Sequence, residues 1–253
     1  MVSTDRIPKE RFDGDHYLGR PADFTDLIVK RRVEVVKQIP GFTGKEFTLA
    51  DVGCGNGASM FLLAPDFKQC DGFEIFAENQ SAFDDLQKIT GVTNCYFNLL
   101  DIEKESWPQT YDRLISFEVI EHITSEDNVY KFKQLLKPGG LAAITVPNKW
   151  WIFETHGAKL PLLPWNRVPF FSWLPRPLHE RWANARIYTK KRIIDLLIKA
   201  GFEVIETKYV TAPLDVLKNK KLKKWLQKYV FTGHTTSNPF KATSIFIVAR
   251  NPI

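Results

Sequence analysis

Between residues 46 and 146 the chain repeats one pattern: a short apolar or β-prone run, then a segment whose apolar residues return at helical spacing. The runs are 46–53 (EFTLADVG), 70–75 (CDGFEI), 93–97 (TNCYF), 111–117 (YDRLISF) and 141–146 (LAAITV). Ala82, Phe83, Leu86 and Ile89 mark one intervening helix, and Val129, Phe132, Leu135 and Leu136 another. Strands that alternate with helices imply a mainly parallel sheet covered on both faces. KPGG at 137–140 reads as a helix end turning into the next strand. A helix over 189–200 that stops at Gly201, with strands at 202–210 and 243–250, brings the expected sheet to about seven strands. The expected fold class is α/β, a doubly wound, mostly parallel sheet.

Two segments break the rhythm. Residues 147–182 hold six of the fifteen prolines and five of the seven tryptophans, so they form neither a long helix nor a central strand. Residues 214–230 (LDVLKNKKLKKWLQKYV) place Leu214, Leu217, Leu222, Trp225, Leu226 and Tyr229 on one helical face, with lysines around the rest. The expected layout is one domain over 1–253, with an N-terminal helical lid over 1–45, a cap over 147–188 and a basic helical insertion over 211–241.

Composition excludes several classes. With 44% hydrophobic and 25% charged residues, the chain has the make-up of a globular protein. No apolar run approaches the roughly 18 residues of a membrane span, and the N-terminus is polar, so a cytoplasmic location is expected. Three cysteines without a CxxC pair argue against disulfides and a zinc site. A net charge of +6 favours an anionic partner without requiring one.

LADVGCGNGAS at 49–59 follows an apolar run with three glycines in five positions. A strand, a glycine-rich turn and a helix bring backbone N–H groups and a helix N-terminus against a ligand. Two cofactors compete. Gly53, Gly55 and Ala58 fit a dinucleotide loop, with Glu74 some twenty residues later for a ribose hydroxyl. Asp51, Gly53, Gly55 and Gly57 fit a loop that holds S-adenosylmethionine. Asp51 favours the second, because a carboxylate repels a pyrophosphate and suits an ammonium and a sulfonium.

From about residue 46 to 250 the sequence resembles the class I S-adenosylmethionine-dependent methyltransferases. ADVGCGNG is similar to their first motif, GFEI at 72–75 to the second, NLLDIE at 98–103 to the third, and YDRLISFEVIEHI and LLKPGGLAAITVPN to the fourth and fifth. The resemblance implies a Rossmann-like fold and a cofactor site that includes Asp51, Gly53, Cys54, Gly55 and Gly57. Glu74 would bind the ribose hydroxyls beside Ile75, Asp101 the adenine amino group, and Ile102 the ring, with Phe117 close by. His16 and Tyr17 resemble a lid over the donor. S-adenosylhomocysteine is the implied product.

Within that family, EVIEH at 118–122 resembles the ubiquinone-biosynthesis O-methyltransferases and the small-RNA 2′-O-methyltransferases. On a helix, Glu118, Glu121 and His122 would face one direction, which suits a divalent metal or a base held by an acid. The second resemblance implies a magnesium ion held by these three residues, with His179 completing the set; without metal, His122 is the candidate base. His156 and His234 read as loop histidines. Aromatic residues of the cap, such as Trp150, Trp151 and Phe171, would line a pocket for an aromatic or lipid-like acceptor or build a second small core. The lysine-rich helix could lie on an anionic membrane with Trp225 and Leu226 dipping in, follow nucleic-acid phosphates, or present a solvated face; the first makes a peripheral membrane location an alternative. No RNA-binding module accompanies it, so nucleic acid ranks below small or lipid-like acceptors. The expected activity is O-methylation of such an acceptor; RNA ribose methylation and S-adenosylmethionine binding without turnover are the alternatives.

Overall fold

The computed structural model describes residues 12–13, 16–17, 22–158, 168–215 and 217–253. In chain order they form a two-residue antiparallel pair, β1 (Phe12–Asp13) and β2 (His16–Tyr17), then α1 (Leu27–Lys37), β3 (Gly44–Val52), α2 (Ala58–Leu63), β4 (Phe67–Glu74) and α3 (Asn79–Thr90). There follow β5 (Cys95–Leu99), β6 (Tyr111–Phe117), α4 (Tyr130–Gln134), β7 (Leu136–Pro147), α5 (Arg176–Trp182) and α6 (Lys190–Lys199). The chain closes with β8 (Glu203–Thr211), α7 (Lys220–Tyr229), β9 (Thr235–Thr236) and β10 (Ala242–Arg250).

The large sheet has the order β5-β4-β3-β6-β7-β10-β8-β9. β5, β4, β3, β6 and β7 are parallel, and β10 runs antiparallel to both neighbours. The expectation of seven strands is exceeded by one, because β9 adds a two-residue edge against Tyr209 and Val210. Strands buried on both faces read as continuous apolar runs. Leu49, Ile115 and Ala143 point into one core and Ala50, Leu114 and Ile144 into the other, as the two-residue period of a strand requires. Cys70 and Cys95 face each other across β4 and β5, buried and free, as is Cys54.

Several local expectations are corrected. KPGG lies within β7, where two residues of β6, Tyr111 and Arg113, are matched by Leu136 and Leu141; Gly139 (φ +78°) lets the backbone take up the excess. Ile89 is exposed although it shares the helical spacing of Phe83, because α3 buries only its first half. The expected lid over 1–45 contains α1 but also the β1–β2 pair. The basic helix begins at Lys220 rather than 214, because Leu214 adopts a left-handed φ of +59° and drops into the core as Asn219 caps the helix start.

Candidate functional site

A cavity of about 530 Å³ lies at the carboxyl ends of β3, β4 and β6. The turn after β3 forms its floor. Gly53, Gly55 and Gly57 all take left-handed φ, +72°, +54° and +79°, which side chains strongly disfavour. Their roles differ. A β-carbon on Gly53 would lie 2.4 Å from Val119 Cγ2, and one on Gly57 2.8 Å from Phe83 Cδ2. A β-carbon on Gly55 would meet nothing within 4 Å, so the space above it is open to a ligand. Gly53 and Gly55 line the cavity, whereas Gly57 is kept bare by core packing at the start of α2.

Two buried carboxyls flank the turn. Glu74 Oε2 accepts the Gly55 N–H at 2.8 Å, and Oε1 accepts those of Ile75 and Phe76 at 2.8 and 3.1 Å. Burial raises its pKa against the pull of those donors. Asp51 accepts no such set among the described residues: burial, with the nearby charge of Glu74, pushes its carboxyl up to about 8. A cation brought into this end of the cavity would relieve both groups. Cys54 lines the cavity, but its Sγ sits where Gly72 leaves room, and burial raises its thiol, so it is a packing residue. Ile75, Asp101, Ile102 and Phe117 also line the space. Asp101 is engaged by the Glu103 N–H at 2.9 Å and by Lys104 at 2.8 Å. The side chain of Tyr17 lies outside the described residues.

Glu118, His122 and His156 also line the cavity. EVIEH is a turn rather than a helix: Glu118 has φ +60°, fully buried Ile120 plugs the core, and the His122 N–H donates to Val119 O at 2.9 Å. The turn still gathers its acids. Glu118 Oε1 pairs with Arg32 of α1 at 2.8 Å. Glu121 is buried behind the cavity wall; His156 Nε2 lies 3.3 Å from its Oε1 and 3.9 Å from Glu118 Oε2. Burial and the charge of Glu118 raise the Glu121 carboxyl well above its usual range. The rings of His122 and His156 stand 5.0 Å apart, and one ligand atom each from Glu121, His122 and His156 falls within 4.8 Å of the others.

His179 does not join this group. It is fully buried on α5, with Nε2 2.8 Å from Glu154 Oε2, an oxygen that also accepts the Ser172 hydroxyl at 3.1 Å. Burial alone would raise Glu154, but His179, aided by His156, holds it below the usual range. Glu154 Oε1 in turn accepts the backbone N–H of His156 at 3.1 Å, so His179 supports the loop that carries His156. The histidine expected to be a bystander reaches the cavity, and the one expected there is structural. No spacing in the sequence links His156 to EVIEH; the only hint is Glu154 and His156 in one short loop of a tryptophan-rich cap.

A family model described as a methyltransferase domain matches residues 21–207. The ubiquinone biosynthesis O-methyltransferase of Roseobacter denitrificans is 26% identical over 172 residues, 65% of this chain and 63% of that protein. Its counterpart from Pseudomonas syringae pv. syringae is 24% identical over 208 residues, 78% of this chain and 88% of that one. The chain thus spans just under two thirds of the Roseobacter relative. Among solved structures, an S-adenosylmethionine-dependent methyltransferase from Mesorhizobium loti gives a TM-score of 0.60 at 14% identity, covering 90% of this chain and 100% of that one. The N-methyltransferase NodS from Bradyrhizobium japonicum in complex with S-adenosyl-L-homocysteine gives 0.55 at 13% identity, covering 90% of each chain. At these identities the structural likeness shows the fold.

Proposed function

Because the chain belongs to this methyltransferase domain family, we propose that it is an S-adenosylmethionine-dependent enzyme that methylates an oxygen of a small aromatic or lipid-like acceptor. The observation that carries this reading is the shape of one cavity. It is lined both by a glycine turn flanked by buried acids, suited to a cationic donor, and by a wall where two imidazoles and Glu118 converge. In this reading Asp51 and Glu74 hold the amino-acid and ribose parts of the donor, while Asp101 and Ile102 meet the adenine. The acceptor hydroxyl lies beside His122, its proton passing to that imidazole as its oxygen takes the methyl group from the sulfonium and S-adenosylhomocysteine leaves. Glu121 orients His156 beside it. Oxygen is favoured as the acceptor atom because the relatives above are named O-methyltransferases.

The test is an acceptor screen by mass spectrometry, followed by His122→Ala. Turnover should fall by about 100-fold, the lower range for a lost general base, with donor affinity unchanged. Equal losses in both would make His122 structural.

Glu121, His122 and His156 support a second reading, in which they hold a divalent cation. Two imidazoles with one carboxylate suit manganese, iron or zinc better than magnesium, which prefers oxygen ligands, and Glu118 is already committed to Arg32. Calorimetric titration of the chelator-treated chain with manganese, ferrous iron, zinc and magnesium in turn tests it; no binding of any of the four removes the metal.

A further inference from the structure

β7 and β8 both run antiparallel to β10, so they point the same way, and the carboxyl end of β8 lies on the same sheet edge as the cavity. From that end the chain leaves through α7 and returns by β9. Between Val216 and Lys241 it carries seven lysines and no acidic residue, more positive charge than the net +6 of the whole chain. None of the lysines on or flanking α7 forms an ion pair among the described residues.

Among the described residues, α7 is attached by one margin. Leu226 joins Trp151, Ala212, Leu214 and Phe231 in a small core, and the Gln227 side chain donates to Pro213 O at 2.7 Å. Buried Arg31 fixes both ends of the excursion, donating to Thr211 O and Ala212 O at 2.7 and 2.6 Å and to Phe231 O at 2.8 Å. No residue of the helix itself is buried. Leu222, Trp225 and Tyr229, spaced to share one face, are 45%, 54% and 60% exposed. Lys241 Nζ donates to Val230 O at the end of α7, and beside it Phe240 meets Trp150 and Trp173 in a second half-exposed aromatic group. Leu226, expected to face outward, is an anchor, and Leu222 and Tyr229 take its place beside Trp225.

We propose that this surface docks the protein on a bilayer containing anionic lipid headgroups. Leu222, Trp225 and Tyr229 enter the boundary between headgroups and acyl chains, and the lysines around them engage the headgroup phosphates. A nucleic acid would use the lysines and could stack on a ring, but it has no use for an exposed leucine beside two rings already in mutual contact at 5.8 Å. The proposal does not depend on which acceptor is methylated.

Co-sedimentation of the full chain with vesicles tests it. Phosphatidylcholine vesicles with roughly 30% phosphatidylglycerol should bind at least about tenfold more protein than phosphatidylcholine alone, and salt should weaken the difference. Leu222→Ser with Trp225→Ser, and separately Lys221→Glu with Lys224→Glu and Lys228→Glu, should each lower that binding about tenfold. Lys191→Glu with Lys199→Glu on α6 should not. Affinity for S-adenosylmethionine, measured on every variant, shows that each is folded and tests the cofactor site separately. Equal binding to neutral and charged vesicles, no binding to either, or an unchanged Leu222/Trp225 variant would overturn the proposal. So would polyuridylate that binds the protein in preference to vesicles and is indifferent to the Leu222/Trp225 pair.

Discussion

Asp51 is a residue whose chemistry is strongly altered by its surroundings. Its carboxyl is buried, lies near Glu74 and titrates near 8 rather than 3.8, so below that pH the free protein holds it neutral. A donor bearing an ammonium and a sulfonium favours the ionised form and must displace the proton to gain the full attraction. Affinity for S-adenosylmethionine should therefore rise with pH up to about 8, by at most about tenfold per unit, and level off above it. Isothermal titration between pH 6 and 9 measures this, and Asp51→Asn should flatten the profile. A wild-type profile already flat would separate Asp51 from the donor. The acid before the glycines was visible in the sequence; its raised pKa was not, because it arises from a neighbouring strand and from depth of burial.

At the scale of elements, the turn after β3 and the turn after β6 are built against each other. Val119 occupies the space that a β-carbon on Gly53 would need, 2.4 Å away. Gly53→Ala should cost about 1–3 kcal/mol of stability, from the left-handed φ and the clash together. Adding Val119→Ala should return the part due to the clash, which chemical denaturation of the two variants would measure. Equal stability of the single and double variants would show that the two turns do not press on one another. Glycine spacing announced the bare turn that lines the cavity, and EVIEH announced a cluster of acids with an imidazole. Helical geometry was the wrong guide to EVIEH, since Glu118 at φ +60° starts a turn. Periodicity describes regular backbone, and this segment is set by the plugging of Ile120 into the core.

For the whole molecule, the raised carboxyls make stability depend on pH. A carboxyl whose folded pKa exceeds its unfolded value keeps a proton that the unfolded chain has released, so the folded state loses stability as pH climbs between the two. For Asp51 the window runs from 3.8 to about 8, and Glu74 and Glu121 are shifted in the same direction. The melting temperature of the ligand-free protein should therefore fall between pH 5 and 8, and less so in Asp51→Asn. Calorimetric melts across that range check it; a rising wild-type melting temperature would contradict the assigned direction. By itself, the order of apolar runs and breakers determined the sheet, its two cores and the strand ends that carry the cavity, because burial period and turn chemistry are local properties of the chain. Which histidine reaches the cavity, and which face of the lysine helix is left bare, were decided by tertiary structure alone. His156 and Glu121 meet across a cap of irregular backbone, and Leu226 turns inward because Trp151 and Phe231, distant in the chain, provide its pocket.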